Sequence, residues 1–171
     1  MSQVIFSFDP QIKEKVSSRG LEMDSEFDAL ENNVRDEMLS IYTETVIDHA
    51  MNPRNVGSIP NADGFACVTG TCGDTMEIWL SIRDGKIRDA TFWTDGCGTS
   101  IAAGSMATEM VKGKGVSKCF QITQDDILNG LGGLPEESTH CALLAANTLR
   151  EAIRDYIALK NEPWKRAYRS V

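Results

Sequence analysis

The chain has 171 residues, 42% of them hydrophobic, and its 17 basic and 25 acidic side chains give a formal net charge of -8. Such a length suffices for one hydrophobic core and is short for two ordinary domains. The negative charge disfavours nucleic-acid phosphates and anionic membranes as partners. No apolar run approaches the ~18 residues that a membrane-spanning helix needs, and the first residues do not resemble a secretion signal. The sequence therefore predicts a cytoplasmic protein.

Residues 1–37 form an acidic segment that we expect to be partly helical. They carry nine acidic and four basic side chains, the reverse of an organellar transit peptide. Residues 1–20 are expected to be loose, and apolar residues then recur at spacings of three and four along a helix that starts near Asp24. These residues are Phe27, Leu30, Val34 and Met38. The segment is either a solvated extension or a helix that covers a hydrophobic patch or a partner site.

Residues 38–51 continue the helical spacing of apolar side chains. Asn52-Pro53 should end this helix, because the residue before a proline avoids the helical conformation. Three strands are predicted next, over residues 65–69, 75–82 and 87–94. Asp84-Gly85 favours a tight turn between the last two strands. The middle of the chain is therefore expected to be an antiparallel sheet of three strands.

Helices are predicted after the sheet. A segment dense in Ala, Met and Ile covers residues 99–112, and the glycine that follows is a suitable C-cap. Thr123 and Asp126 have the spacing of a capping box at the start of a short helix. The longest helix is predicted over residues 138–159 from its apolar stripe.

These elements indicate an α+β fold, a three-stranded antiparallel sheet packed with helices, with an extra N-terminal helical arm. We expect one domain over residues 38–160, preceded by the acidic segment and followed by a tail at residues 161–171. No internal repeat or low-complexity tract suggests a different organisation.

The five cysteines form an odd set without the tight pairing of a disulfide-stapled domain. Free thiols or metal thiolates are therefore expected rather than disulfides. Cys67 and Cys119 have no glycine neighbours, and we expect them to be small buried hydrophobic residues. His49, which lies shortly before the Asn-Pro stop, is expected to be a surface or capping residue rather than a ligand.

The other three cysteines have unusual neighbours. Cys72 lies in a glycine-rich loop, and Asp74 two residues further on offers a hard oxygen ligand. Cys97 joins the last strand to the next helix, where the helix dipole and unpaired amides should lower a thiol pKa. Cys141 follows His140 close to the start of the longest helix, and we expect the same lowering there. Four of these five side chains could complete a tetrahedral zinc site or hold a 2Fe-2S cluster.

The stretch from residue 42 to residue 156 resembles the IscU/NifU N-terminal family of iron-sulfur cluster scaffolds. Five motifs of the family recur in order, and they are HAMNPRNVG from His49, CGDTM from Cys72, DGCGTSIA from Asp95, ATEMVKGK from Ala107 and HC at His140. The resemblance covers about two-thirds of the chain. It implies an α+β fold in which the three cysteines meet at one exposed end, with Asp74 and His140 beside them.

The resemblance implies a scaffold rather than an enzyme. Such a scaffold builds a 2Fe-2S cluster from ferrous iron and persulfide sulfur and transfers it to apo-proteins. Cys72, Cys97 and Cys141 match the cluster thiolates, and Cys141 or Cys97 would also accept the persulfide. Asp74 matches the residue that makes the cluster labile, because a carboxylate holds iron less firmly than a thiolate. His140 is the alternative fourth ligand, and the same ligands could take Zn²⁺.

The partners implied by the resemblance are a cysteine desulfurase, apo iron-sulfur acceptor proteins, a frataxin-like protein and a ferredoxin. A specialised heat-shock chaperone grips a Leu-Pro-Pro-Val-Lys segment in the family, but residues 134–138 read Leu-Pro-Glu-Glu-Ser here. We therefore expect a release route without that chaperone. The chain ends without the ferredoxin-like and C-terminal domains of full NifU, so a stand-alone scaffold is expected.

Two other functions compete with this one. The second hypothesis is a zinc-dependent persulfide sulfurtransferase of the related SufU type. His140 weighs against it, because that branch usually lacks this histidine, and Cys97 and Cys141 are only 44 positions apart, without the branch's insertion. The third hypothesis is a purely structural zinc domain, which should unfold when its metal is removed.

Overall fold

The computed structural model describes residue 30 and residues 32–164. The chain divides into two compact units, Met1–Ser40 and Ile41–Val171. Helix α1 covers residues 32–41, and Leu30 and Val34 of the predicted apolar face are exposed. The predicted loose segment, the predicted helix start near Asp24 and most of the tail lie outside the described residues.

The helix predicted from residue 38 to residue 51 is interrupted, and this part of the prediction was wrong. Helix α1 ends at residue 41, and helix α2 spans Glu44–Met51. Thr43 between them has extended backbone, and its hydroxyl oxygen accepts a hydrogen bond from the Val46 amide at 3.2 Å. Threonine is a favourable N-cap, so a local side-chain bond overrides the apolar spacing that runs through this position.

The predicted sheet is confirmed, with three antiparallel strands in the order β1-β2-β3. The strands are β1 Gly64–Thr69, β2 Thr75–Arg83 and β3 Lys86–Thr94. Asp84 and Gly85 between β2 and β3 have φ values of 53° and 71°. Positive φ at both central residues is the requirement of a type I′ hairpin turn, which the Asp-Gly pair predicted.

The predicted helices after the sheet are also present. They are α3 Gly98–Val111, α5 Gln124–Leu131 and α6 Thr139–Asn161. The short helix α4 Val116–Cys119 and a 3-10 turn at Glu136–Ser138 before α6 were not predicted. Thr123 and Asp126 form the predicted capping box at the start of α5. The α+β architecture predicted from the sequence is therefore confirmed.

Helices α3 and α6 pack against the sheet, and this packing determines where their N-termini lie. Met76, Ile78 and Leu80 of β2 are fully buried in the core between these elements. A β-carbon at Gly104 of α3 would collide with the ring of Phe92 in β3. The missing side chain therefore lets α3 lie close against the sheet.

The two cysteines predicted to be structural differ in their surroundings. Cys119 is 1% exposed, as predicted, and its thiol contacts the Val111 carbonyl at 3.7 Å. Cys67 is exposed, so that prediction was wrong: it pairs with Glu77 across β1 and β2, at a position that alternation directs to the outer face. All five cysteines are free thiols. Within the described residues, no helix is long and apolar enough to cross a membrane.

Candidate metal centre

Three of the predicted ligands converge at one end of the sheet. The ligand atoms of Asp74, Cys97 and Cys141 all lie within 4.8 Å of one another. Asp74 directly precedes β2, Cys97 is the N-cap of α3, and Cys141 is in the first turn of α6. Residues 74, 97 and 141 are far apart in the sequence, and they meet because the two helices begin beside the same end of the sheet.

Hydrogen bonds at the ends of β2 and β3 hold the segments of Asp74 and Cys97 together. Thr75 donates its amide hydrogen to Asp95 Oδ1 at 2.6 Å, and Asp95 donates its own to the Thr75 carbonyl at 3.3 Å. The turn before β2 is closed by a 2.8 Å bond from the Gly70 amide to the Asp74 carbonyl. The segment between β3 and α3 is therefore tied to the residue that follows Asp74.

The electrostatics of Cys97 agree with the sequence analysis. Burial alone would raise the pKa of this thiol, but hydrogen bonds from the Thr99 hydroxyl and from the amides of Ser100 and Thr99 outweigh it and lower the pKa. Free amides at a helix N-terminus stabilise a thiolate. Cys97 is also exposed, so its thiolate is accessible to other molecules.

Cys141 differs from this prediction, because its pKa is raised rather than lowered. Burial is the main cause, and the neighbouring Cys97 adds to it against the lowering effect of hydrogen bonds from Ser100 and Thr99. Cys141 is 1% exposed. A start-of-helix position therefore does not guarantee a reactive thiol, since desolvation of the charged form can dominate.

Two hydroxyls lie among the three ligands, and the sequence analysis did not single them out. Thr99 Oγ1 is 3.0 Å from Cys97 Sγ and 3.4 Å from Cys141 Sγ. Ser100 Oγ donates a hydrogen bond to Asp74 Oδ2 at 2.7 Å and lies 3.3 Å from Cys141 Sγ. The sequence could have indicated both through their place in the first turn of the helix that Cys97 caps, because side chains there lie at the same end of the helix as the N-cap.

The glycine before Cys97 has a packing role. A β-carbon at Gly96 would collide with Asp74 Oδ2 and would lie 2.6 Å from Ser100 Cβ. Real side chains do not approach so closely, so a residue with a side chain here would displace the carboxylate. Gly73 by contrast has open space around it and a φ of 92°. One glycine admits the contact between two site residues, and the other permits a turn.

The remaining predicted ligands, Cys72 and His140, do not join this cluster among the described residues. Cys72 is exposed in the turn before Asp74, and His140 is half-buried beside Cys141.

The prediction for His49 was also wrong. It is 7% exposed rather than on the surface, and its Nδ1 is 2.8 Å from Ser105 Oγ on α3.

The three clustered side chains offer two thiols and a carboxylate. This set suits zinc or an iron-sulfur cluster, and either needs a further ligand.

Comparison with known proteins defines the class. A family model described as the NifU-like N terminal domain matches residues 41–163. The chain therefore belongs to the NifU-like N-terminal family, in agreement with the five motifs found in the sequence. The match begins at the start of the second compact unit and ends two residues after α6.

Two relatives of the chain are named as iron-sulfur cluster assembly scaffold proteins. The chain is 49% identical over 117 residues to the iron-sulfur cluster assembly scaffold protein IscU 1 of Archaeoglobus fulgidus, a match that covers 68% of this chain and 76% of the relative. It is 45% identical over 120 residues to the scaffold protein IscU of Escherichia coli K12, covering 67% and 93%.

Solved structures support the fold. A NifU-like N-terminal protein from Brucella abortus aligns with a TM-score of 0.56 at 22% identity, covering 69% of this chain and 95% of that one. A structure from Fervidobacterium islandicum AW-1, described as a putative iron-sulfur cluster assembly scaffold for the SUF system, aligns with a TM-score of 0.55 at 22% identity, covering 67% and 97%. At this identity both show a shared fold.

Proposed function

We propose that this chain is a scaffold on which a 2Fe-2S cluster is built from ferrous iron and persulfide sulfur and from which the cluster is transferred to apo-proteins. The observation that carries the proposal is the convergence of Asp74, Cys97 and Cys141 within 4.8 Å at one end of the sheet. The relatives named as iron-sulfur cluster assembly scaffold proteins support it. The cluster is cargo here, so the site must both hold it and let it go.

The ligand set combines firm and weak binding. Thiolates hold iron strongly, whereas a carboxylate is a harder and weaker ligand for it. In the proposal, Cys97 and Cys141 supply two thiolates and Asp74 supplies the weak position through which the cluster leaves. Cys72 in the adjacent turn supplies the third thiolate, and His140 is the alternative to Asp74 as the fourth ligand.

Sulfur delivery begins at a thiolate that a partner can reach. Cys97 is exposed and has a lowered pKa, so it is the first acceptor in the proposal, and Cys141 is the second. The Cys97 thiolate attacks the terminal sulfur of a persulfide on a cysteine desulfurase, a new sulfur-sulfur bond forms, and the desulfurase thiolate leaves. Two electrons from a ferredoxin then reduce this persulfide to sulfide and regenerate the Cys97 thiolate.

The proposed partners follow from these steps. They are a cysteine desulfurase as sulfur donor, a ferredoxin as reductant, a frataxin-like protein and apo iron-sulfur proteins as acceptors. Glu136 and Glu137 stand where the chaperone's segment has proline and valine, and Ser138 stands in place of its lysine, so release is proposed to be independent of that chaperone. The proposed compartment is the cytoplasm, and residues 1–37 are proposed to be an extension of the scaffold domain at residues 38–160.

A zinc-dependent persulfide sulfurtransferase is the second candidate. The specific observation in its favour is the donor set itself, because an Asp and two Cys near a third Cys can hold Zn²⁺ without His140. In that case zinc would stay bound, and Cys97 or Cys141 would relay sulfur without building a cluster.

Anaerobic reconstitution tests the proposal. The protein is incubated with ferrous iron, cysteine, a reductant and a cysteine desulfurase, and then with an apo-ferredoxin. A sulfide-to-iron absorption spectrum that passes to the ferredoxin is expected from wild type and from Cys67→Ser, whose thiol lies on the outer face of the sheet. Cys97→Ser should fail to assemble a stable cluster. Persulfide uptake on a zinc-bound protein without a cluster would favour the sulfurtransferase.

A further inference from the structure

We propose that Ser100 is a positioning residue of the metal centre, whose hydroxyl holds the Asp74 carboxylate in its metal-binding orientation. The inference deepens the proposed function and rests on it for the role of Asp74 as a ligand. It extends the site by a residue that binds no metal itself. Its effect is exerted through Asp74.

Ser100 lies at the centre of the cluster. It is 0% exposed, and its Oγ lies 2.7 Å from Asp74 Oδ2, 3.3 Å from Cys141 Sγ and 3.9 Å from Cys97 Sγ. It belongs to α3, whereas Asp74 precedes β2 and Cys141 belongs to α6. One hydroxyl therefore contacts all three clustered residues and links three separate elements.

The Asp74 carboxylate depends on this contact for its orientation. Among the residues that the structure describes, no other group donates a hydrogen bond to it. A ligating carboxylate is normally oriented by a hydrogen bond from an outer group, and losing such a partner typically lowers metal affinity about 10–100-fold. Without Ser100, the Asp74 side chain would sample rotamers that point its oxygens away from the two thiols.

The packing around Ser100 favours the bond to Asp74 over the one to Cys141. A hydroxyl has a single hydrogen and can donate it to one acceptor at a time. The 2.7 Å distance to a carboxylate oxygen is typical of a strong charge-assisted bond, and the 3.3 Å contact is to the weaker acceptor, sulfur. Gly96 leaves the space that this close approach needs, because any side chain there would meet both Asp74 and Ser100.

The first test compares Ser100→Ala with Ser105→Ala as a matched control. Ser105 is on the same helix and also 0% exposed, and its hydroxyl contacts His49 Nδ1 at 2.8 Å and the Arg54 amide at 2.9 Å. Both variants thus remove a buried hydroxyl, but only one touches the cluster. Alanine suits a helix interior, so both variants should keep the fold, which circular dichroism checks.

The readout is anaerobic binding of Co²⁺ and Zn²⁺ against a chromogenic chelator, together with the thiolate-to-cobalt absorption band. Ser100→Ala should bind each metal about 10–100-fold more weakly than wild type, whereas Ser105→Ala should stay within about threefold. Equal affinities for wild type and Ser100→Ala, or equal losses in both serine variants, would overturn the inference.

A double-mutant cycle with Asp74→Ala separates positioning from general damage. If Ser100 acts through Asp74, adding Ser100→Ala to Asp74→Ala should weaken Co²⁺ binding by no more than about threefold. Full additivity would overturn the inference. Coupling between the two residues in a protein that binds Co²⁺ but assembles no cluster would support the inference while refuting the proposed function. Absence of Co²⁺ binding by wild type would refute both.

Discussion

The thiols of Cys97 and Cys141 share one hydroxyl neighbour, Thr99 Oγ1, at 3.0 Å and 3.4 Å, yet their pKa values shift in opposite directions. Cys97 caps a helix and is exposed, whereas Cys141 is inside a helix and buried. The Cys97 thiol is accessible and more easily deprotonated, so it can react with another molecule. The other suits a ligand that loses its proton when a metal ion binds beside it.

Thiol labelling should distinguish these two environments. With limiting iodoacetamide and no metal, Cys97 should be alkylated faster than Cys67 near neutral pH, because the thiolate is the reacting form. Cys67 is a useful reference, since it is also exposed but burial and Glu77 raise its pKa. The rate at Cys97 should also level off at lower pH than the rate at Cys67. Peptide mass spectrometry measures both, and faster labelling of Cys67 throughout would contradict the assignment.

Variants of the proposed ligands should have opposite effects on the stability of the cluster. Cys141→Ser and Cys72→Ser should each abolish a stable cluster, although Cys72 lies outside the group of three in the structure. Asp74→Ala should retain the cluster longer than wild type, because the weak ligand at the exit position is gone. Visible absorption after anaerobic reconstitution measures the decay. Faster loss from Asp74→Ala than from wild type would contradict the role given to this carboxylate.

Gly96→Ala should damage the site, whereas Gly98→Ala should not. The new β-carbon at Gly96 would collide with Asp74 Oδ2 and Ser100 Cβ, whereas at Gly98 its nearest neighbour is Ala50 Cβ at an ordinary 3.8 Å. We expect Gly96→Ala to cost about 1–3 kcal/mol of unfolding free energy and to weaken Co²⁺ binding. Urea unfolding and Co²⁺ titration of the two variants test this, and equal behaviour would contradict it.

Stability should fall in mildly acidic solution because of His49. Burial, and then the positive charge of Arg54, lowers the pKa of this imidazole in the folded protein. Below the unfolded value of about 6.5, the unfolded chain binds a proton that the folded chain resists, so unfolding free energy decreases as pH falls toward the folded pKa. In metal-free urea titrations from about pH 8 to about pH 5, wild type should lose more than His49→Gln. Parallel losses would contradict this.

Removing metal should leave the fold largely intact. The core residues of β2, such as Met76, Ile78 and Leu80, are fully buried, and of the three clustered ligands only Cys141 belongs to this core. A structural zinc domain would instead unfold with the chelator. Circular dichroism with and without a chelator should therefore give the same helical signal, and complete loss of that signal would favour a structural zinc site.

The sequence predicted the elements whose signals are local. Alternation along β2, the Asp84-Gly85 turn and the capping box at Thr123 each depend on a few adjacent residues, and all three are present. The break at Thr43 was missed, because apolar spacing continues through it while a single side-chain bond ends the helix. Local patterns report such a cap only when the competing periodic signal is weak.

The candidate site was predicted in part, and the missing part depends on the folded structure. Neighbouring glycines and helix starts indicated Cys97 and Cys141, but burial of Cys141 follows from packing that the sequence does not display. Cys67 was assigned to the core because cysteines are commonly buried, and its outward position depends on strand register. Ser100 could be recognised only once three distant elements had been placed together.

The contact between Gly104 and Phe92 gives the metal centre a remote determinant. Gly104 lies seven residues after Cys97 on α3, about 10 Å along the helix axis. A side chain there would push α3 away from the sheet. The first turn of the helix, which holds Ser100 and follows Cys97, would then move away from Asp74. The candidate metal centre therefore depends on a residue that touches none of the ligands, and a variant with a side chain at position 104 should bind metal more weakly although every ligand is still present.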